Sequence, residues 1–343
     1  MIQENKSPVN DAAAKQTDSE IKQMLWYRVF GEPLEVSLAS GSFESFKKDI
    51  IRAMGGSRKD GQRPLHITAH DCVDKTYMID NYNENKNLFP KWIKLCCPNN
   101  EEIMVVSGGP SMKTQLEKIR ELYSKGVKII CVKHSHNFLI DNGIIPWACI
   151  NIDPRPLDGE SPHMPGVMLD KLMATPHPDV IYFLASVVHP SVTKFLLEKG
   201  MKIVGFNAYS EALKEVEEVG LAIQFGTCSA VRAIMLARAL GFQRQHLFGF
   251  DACFYEDKSE NTELNQDGMR KFIKISKFDR MNNCDKSYWT TPELVAMIQD
   301  MEQFFARFGR ECGIEVIVYP DGIIYDMWRN SDERCWPTYS EVL

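Results

Sequence analysis

The chain has no apolar run approaching the roughly 18 residues that a membrane helix needs. It has no Cys-x-x-Cys pair, and its ten cysteines are scattered. That excludes a zinc ribbon and argues for reduced thiols packed as small hydrophobes. There is no surplus of positive charge: 40 Lys and Arg face 46 Asp and Glu, for a net charge of −6. A protein that coats nucleic acid is usually basic, so such a partner is not expected, although a local basic cleft stays open. Neither a Gly-Lys-Ser/Thr phosphate loop nor a Gly-x-Gly-x-x-Gly turn is present. No repeat of 20–50 residues and no low-complexity tract occurs. The first residues, MIQENKSPVNDAAAKQTDSEIKQ, lack the apolar centre of a signal peptide. The expected location is cytoplasmic, with no membrane partner.

What is present is an ordinary globular composition, 44% hydrophobic and 25% charged over 343 residues. Residues 1–20 read as a mobile polar tail. Residues 21–100 read as a smaller N-terminal α/β region of unclear role, with a helix near 43–54 and a short strand at 65–71. From 101 to 343 the pattern is regular. Short apolar strands at 103–106, 127–132, 148–153, 180–185, 202–206, 246–250 and 315–319 alternate with amphipathic helices at 112–124, 192–200, 227–241 and 291–313. Strands that are apolar along their whole length imply a sheet covered on both faces. The expected fold is α/β, Rossmann-like, with a mostly parallel sheet between helices.

Ligands of open α/β sheets bind outside the carboxyl ends of the strands, so candidate residues are sought there. After the first regular strand comes Ser107-Gly108-Gly109-Pro110-Ser111, then a helix. Glycines permit a close backbone approach, and a helix start suits a phosphate. The same residues also describe an ordinary capped turn. Asp153 follows the third strand; it can take Mg²⁺, bond a ribose, or cap the Asp-Pro turn. Arg155 can meet a phosphate or be solvated. Gly226, Thr227 and Ser229 open an apolar helix and either hold a phosphate or cap it. Asp251 ends another strand and can share a divalent ion with Asp153. The polar stretch 254–270 reads as a mobile loop, a candidate lid over the site. His134, at the end of the second strand, is a candidate acid or base, or a surface histidine. His189 and Asp321 stand at similar ends, with capping and turn roles as alternatives.

The segments VVSGGPSM, GIIPWACINIDPRP, FGTCSAVRAIMLARALGF with HLFGFDACF, and GIEVIVYPDGIIYDM, in this order, resemble the 6-hydroxymethylpterin diphosphokinase MptE-like family, which includes the motility accessory factors. The resemblance covers residues from about 100 to 325. It implies a Rossmann-like fold related to some sialyltransferases and a nucleotide as co-substrate. One branch transfers diphosphate from ATP to a hydroxymethyl pterin with Mg²⁺. The other is thought to transfer nonulosonic acids from nucleotide-activated sugars. On this resemblance Gly108, Gly109, Pro110 and Ser111 match the phosphate loop, with Ser107 before them. Asp153 and Asp251 match strand-end aspartates, and Thr227 and Ser229 a helix start. Met112 stands where Leu is commoner. The expectation is a Mg²⁺-assisted transferase using a nucleoside triphosphate or nucleotide-sugar and an unidentified small-molecule acceptor. A glycosyltransferase and a non-catalytic nucleotide-binding accessory protein are the alternatives. In the transferase readings Asp153 and Asp251 hold the metal or the nucleotide, and one of them or His134 takes the acceptor proton.

Overall fold

A computed structural model describes residues 75–157, 175–208, 221–223, 225–256, 273–279 and 284–329. The expected elements at 43–54 and 65–71, the tail at 1–20 and most of the 254–270 loop lie outside these residues. Ten strands are seen: β1 Asn99–Val106, β2 Lys128–Val132, β3 Ala148–Asn151, β4 Ile181–Ala185, β5 Lys202–Ala208, β6 Ala222–Ile223, β7 Phe242–Phe248, β8 Ile273–Asp279, β9 Cys284–Thr290 and β10 Glu315–Val318. The α-helices are α1 Lys75–Leu88, α2 Leu116–Ser124, α3 Lys133–Asp141, α4 Pro190–Glu198, α5 Ser229–Ala239, α6 Pro292–Gln303, α7 Gly309–Glu311 and α8 Ile323–Arg329.

Eight strands form one sheet in the order β10-β7-β1-β2-β3-β4-β5-β6, every neighbouring pair parallel. The fold is the expected Rossmann-like α/β sheet. The ends of β1, β2, β3 and β4 are buried on every residue, as strands covered on both faces must be. Apolar α5 packs across β1, β2, β3 and β7, while α3 lies on β2 and β3. From β1 the chain runs outward through β2 to β6, then returns to place β7 on the other side of β1. The switch point is therefore the pair β1/β7, and the turns after these two strands face each other. That is where a doubly wound sheet opens a crevice.

Three local differences from the sequence pattern have physical causes. The expected helix 112–124 begins instead as a 3₁₀ turn, Pro110–Lys113, and only then becomes α2. The Ser111 N–H is turned towards Asp251, and the N–H groups of Thr114 and Gln115 both donate to Ser111 O. The expected helix 291–313 is α6, a π turn at Phe304–Phe308 and then α7. An antiparallel hairpin, β8–β9, follows the polar loop and was not expected. It docks on the stretch after β7, where Phe254 and Trp289 exchange backbone hydrogen bonds of 2.6 and 3.0 Å.

The segment just before β1 is part of the same core. Met78, Tyr82, Phe89 and Ile93 are buried with the sheet residues. Residues 91–93 lie along β5: Gly205 N donates to Lys91 O and Ile93 N to Gly205 O, both at 2.8 Å. The Phe89 ring lies directly on Gly205, where a Cβ would come within 2.2 Å of the ring. In α1, buried Asn81 donates to the carbonyls of Pro154 and Val187, and buried Asn85 to those of Ser186 and Val188. Two amides thus hold the turns that follow β3 and β4.

Gly205→Ala should destabilise the chain by about 1–3 kcal/mol through overpacking, read as a lower urea midpoint at unchanged slope. In a Phe89→Leu background the penalty should shrink. Equal penalties in both backgrounds would refute the ring contact as its cause.

Candidate active site

Two clusters of side chains meet the carboxyl edge of the sheet. The first lies at the switch point. Asp251, three residues past β7, is fully buried, and both its carboxylate oxygens are engaged by Ser111. Ser111 N donates to Oδ2 at 2.6 Å, and the Ser111 hydroxyl donates to Oδ1. Gln115, one turn on, donates to Ser111 Oγ at 2.9 Å and to the Pro320 carbonyl, and accepts from Gly249 N at 3.0 Å. Gly109 N donates to Gly249 O at 3.0 Å, and Ile323 N donates to Asp251 O at 2.9 Å. The turns after β1, β7 and β10 are thereby tied into one unit. Gly109 has to be glycine for this: a Cβ would fall 2.4 Å from Gly249 O and 2.6 Å from Asp251 Oδ2. Burial pushes the Asp251 carboxyl up to about 6, opposed by the two Ser111 hydrogen bonds and aided by the charge of Asp321. Beyond it, Asp326 accepts from the Tyr288 hydroxyl at 2.6 Å.

The second cluster lies one strand over. Lys133, the first residue of α3, and Asp153, two residues past β3, are both buried and form an ion pair. Arg155 grips the same carboxylate. Its Nε donates to Asp153 Oδ1 at 2.7 Å, its Nη2 to Oδ2, and its backbone N–H to Oδ1 at 3.1 Å. Burial would raise the Asp153 carboxyl, but the Arg155 hydrogen bond and the Lys133 charge outweigh it and hold the group well below the usual carboxylate range. Asn151 fixes the turn by accepting from Asp153 N at 2.9 Å. This cluster abuts the first, because Ser135 in α3 donates to the Val106 carbonyl at the end of β1, at 2.7 Å. His134 is exposed beside the same loop: a Cβ on Gly108 would sit 2.6 Å from His134 Cβ.

Residues 76–257 match the family described as 6-hydroxymethylpterin diphosphokinase MptE-like. The chain belongs to this family. More than half of its length is covered, including Ser111, Lys133, Asp153, Arg155 and Asp251. The family is transferase-like by its description. No curated protein matches. Among solved structures, the MAf glycosyltransferase from Magnetospirillum magneticum AMB-1 is similar, with a TM-score of 0.52 at 14% identity. The overlap covers 75% of this chain and 38% of that one, so this chain spans well under half the length of its structural neighbour. At that identity the likeness speaks for the fold.

The sequence candidates are distributed as follows. Ser107, Gly108, Gly109, Pro110, Ser111 and Asp251 meet at the switch point, but Ser111 and Asp251 face each other. Gly226, Thr227 and Ser229 open α5; Thr227 donates through its N–H and its hydroxyl to Asp300 of α6, at 2.7 and 2.6 Å, and Ser229 is half-buried. Burial pushes the Asp300 carboxyl up to about 6. His189 caps α4, accepting from Ser191 N at 3.2 Å. Asp321 accepts from Gly322 N in its own turn. Cys131, Cys149 and Cys253 are buried as expected, whereas Cys96 and Cys97 are exposed on the segment leading into β1. Among the described residues no helix is long and apolar enough to cross a membrane.

Mg²⁺, which the diphosphokinase resemblance implies, does not fit the two carboxylates expected to hold it. The Asp153 oxygens are held by two cations and those of Asp251 by Ser111. Among the described residues no group of three or more His, Cys, Asp or Glu side chains could hold a metal ion. Sequence reasoning missed Lys133, Gln115 and Asp300. Lys133 had a visible signal, a charge set directly after an apolar strand at the carboxyl edge. Gln115 and Asp300 had none, because their partners are distant in sequence.

The raised carboxyl of Asp251 gives a pH test. A buried acid whose folded value lies above its unfolded one adds stability in acid and loses it as pH rises through about 6. Relative to Asp251→Asn, the native chain should therefore gain about 1 kcal/mol between about pH 7 and about pH 5, measured by urea unfolding. A flat difference across that range would exclude a buried, titrating Asp251.

Proposed function

We propose that the chain is a nucleotide-dependent transferase that moves a diphosphate from ATP to a small hydroxymethyl acceptor. The observation that carries this reading is the pair Lys133 and Arg155, gathered on Asp153 at the carboxyl edge beside the switch point. Paired cations there suit a polyphosphate, and family membership supports diphosphate as the group transferred. The acceptor oxygen would attack the β-phosphorus of ATP. The bond from that phosphorus to the bridging oxygen of the α-phosphate would break, and AMP would leave. His134, exposed beside Gly108, is the proposed acceptor of the hydroxyl proton. The turns of the switch point, stiffened by Ser111, Gln115 and Asp251, would position the phosphates. In phosphoryl transfer, positioning and charge stabilisation are most of what the protein supplies.

A second reading, glycosyl transfer from a nucleotide-activated sugar, draws on the fold shared with the MAf glycosyltransferase. The same edge would then hold the phosphate of the leaving nucleotide.

Incubation of the full chain with ATP and hydroxymethyl pterin should release AMP in proportion to the acceptor consumed. Release of CMP or UDP from sugar nucleotides, with no AMP from ATP, would replace the first reading with the second. Turnover of neither class of donor, with nucleotide bound, would make the protein a binding accessory. His134→Ala should lower kcat by about 10²-fold or more with little change in nucleotide affinity, and an unchanged kcat would remove His134 from the mechanism.

A further inference from the structure

We propose a second recognition point beside the charged cluster: the Asn151 amide and the Ser186 hydroxyl, at the ends of β3 and β4, hydrogen-bond the uncharged edge of a heterocycle carried by one of the two substrates. The inference rests on the nucleotide-transferase reading and adds to it the part of a substrate that bears no phosphate.

Asn151 is the last residue of β3, and Ser186 directly follows β4. Both are fully buried. Asn151 pairs with Leu184 in register, and the two-residue alternation of a strand puts Ser186 on the same face of the sheet. Ser186 still belongs to the ladder, since its N–H donates to Phe206 O at 2.8 Å. Their side chains are nevertheless unmet: Asn151 Nδ2 and Ser186 Oγ have no hydrogen-bond partner. Turning the Asn151 amide over gives no remedy. Its Oδ1 accepts from Asp153 N at 2.9 Å, and the reversed amide would set two donors against each other. An unmet buried polar group costs more than a made hydrogen bond returns. Two of them stand on adjacent strand ends, at the edge where sheets of this kind take their ligands.

The chemistry of the pair selects the ligand. An amide nitrogen only donates, whereas a hydroxyl donates and accepts. The group they meet therefore carries an acceptor atom, a carbonyl oxygen or a ring nitrogen, with a donor or a second acceptor beside it. Neither side chain is charged, and a phosphate buried against neutral dipoles would lose more hydration than they return. The edge of a nucleobase, or of the ring of a hydroxymethyl acceptor, has the required pattern. Asn81 and Asn85 hold the two turns that follow these strands. The bond from Asn81 to Pro154 O, at 3.3 Å, is the longest of their four, the others being 3.0, 3.1 and 2.6 Å. Of the two turns, the one after β3 is thus the less firmly held by α1, and it is the one that moves to admit the ring.

The test pairs stability with binding in the full chain. Ser186→Ala removes the hydroxyl and nothing else. With no ligand added it should raise the urea midpoint, because an unmet buried group is deleted. Calorimetric titration with ATP, CMP, UDP and hydroxymethyl pterin should then show the affinity for at least one of them falling roughly three- to tenfold. A loss for a nucleotide assigns the point to the base of the donor, and a loss for the pterin assigns it to the acceptor. Tripolyphosphate, which has no ring, should bind the native and variant chains equally. A lower urea midpoint, which a buried water on the hydroxyl would produce, overturns the inference. Unchanged affinity for all four ligands, or an equal loss for tripolyphosphate, overturns it as well. Each of these outcomes leaves the nucleotide reading intact. No binding of ATP, CMP or UDP to the native chain would overturn both.

Discussion

The contact between Ser111 and Asp251 joins the turns that follow β1 and β7, which the strand order brings face to face. Most of the other contacts at the sheet's edge are arranged around it. Gly109 is small to admit the carboxylate, and Gln115 is aimed to satisfy Ser111 and Gly249 together. The backbone carbonyl of Asp251 receives the first N–H of α8, which draws the β10 turn into the same unit. A carboxylate in full burial is costly to keep charged, and its elevated proton affinity reflects that cost. Two charge-assisted hydrogen bonds offset the penalty and leave the edge stiff.

Beside this centre, the β2/β3 edge concentrates positive charge around a single carboxylate. The division is chemically sensible for a transferase. One part holds geometry, and the neighbouring part supplies field. Asp153 and Asp251 look equivalent in a linear sequence, since each follows an apolar strand. Their surroundings drive them apart: paired cations depress the first, and burial beside Asp321 raises the second.

The sheet was legible because its strands are apolar runs that need no partner to be recognised. The edge residues were legible as positions, because parallel topology sends every strand end to one side. Their pairings were not. Asp251 and Ser111 lie 140 residues apart, and Thr227 and Asp300 lie 73 apart. Such contacts depend on strand order, and a single sequence carries the order of strands only weakly. Lys133 was passed over in favour of its neighbour His134, since histidine titrates near neutrality, although the lysine's charge directly after an apolar strand was there to be read. The β8–β9 hairpin was hidden by polar residues that alternate along edge strands and resemble a loop. The exposed Cys96–Cys97 pair was misread because cysteine usually packs inside.

The two asparagines of α1 bear on where the working unit begins. Asn81 and Asn85 together bond four carbonyls on the turns after β3 and β4, one of them the carbonyl of Pro154, next to Arg155. A chain trimmed to its first strand would lose the pairing of Lys91 and Ile93 with β5 and give up the brace on its charged edge. The heritable module is then the sheet together with its brace, in keeping with a family match that starts at residue 76.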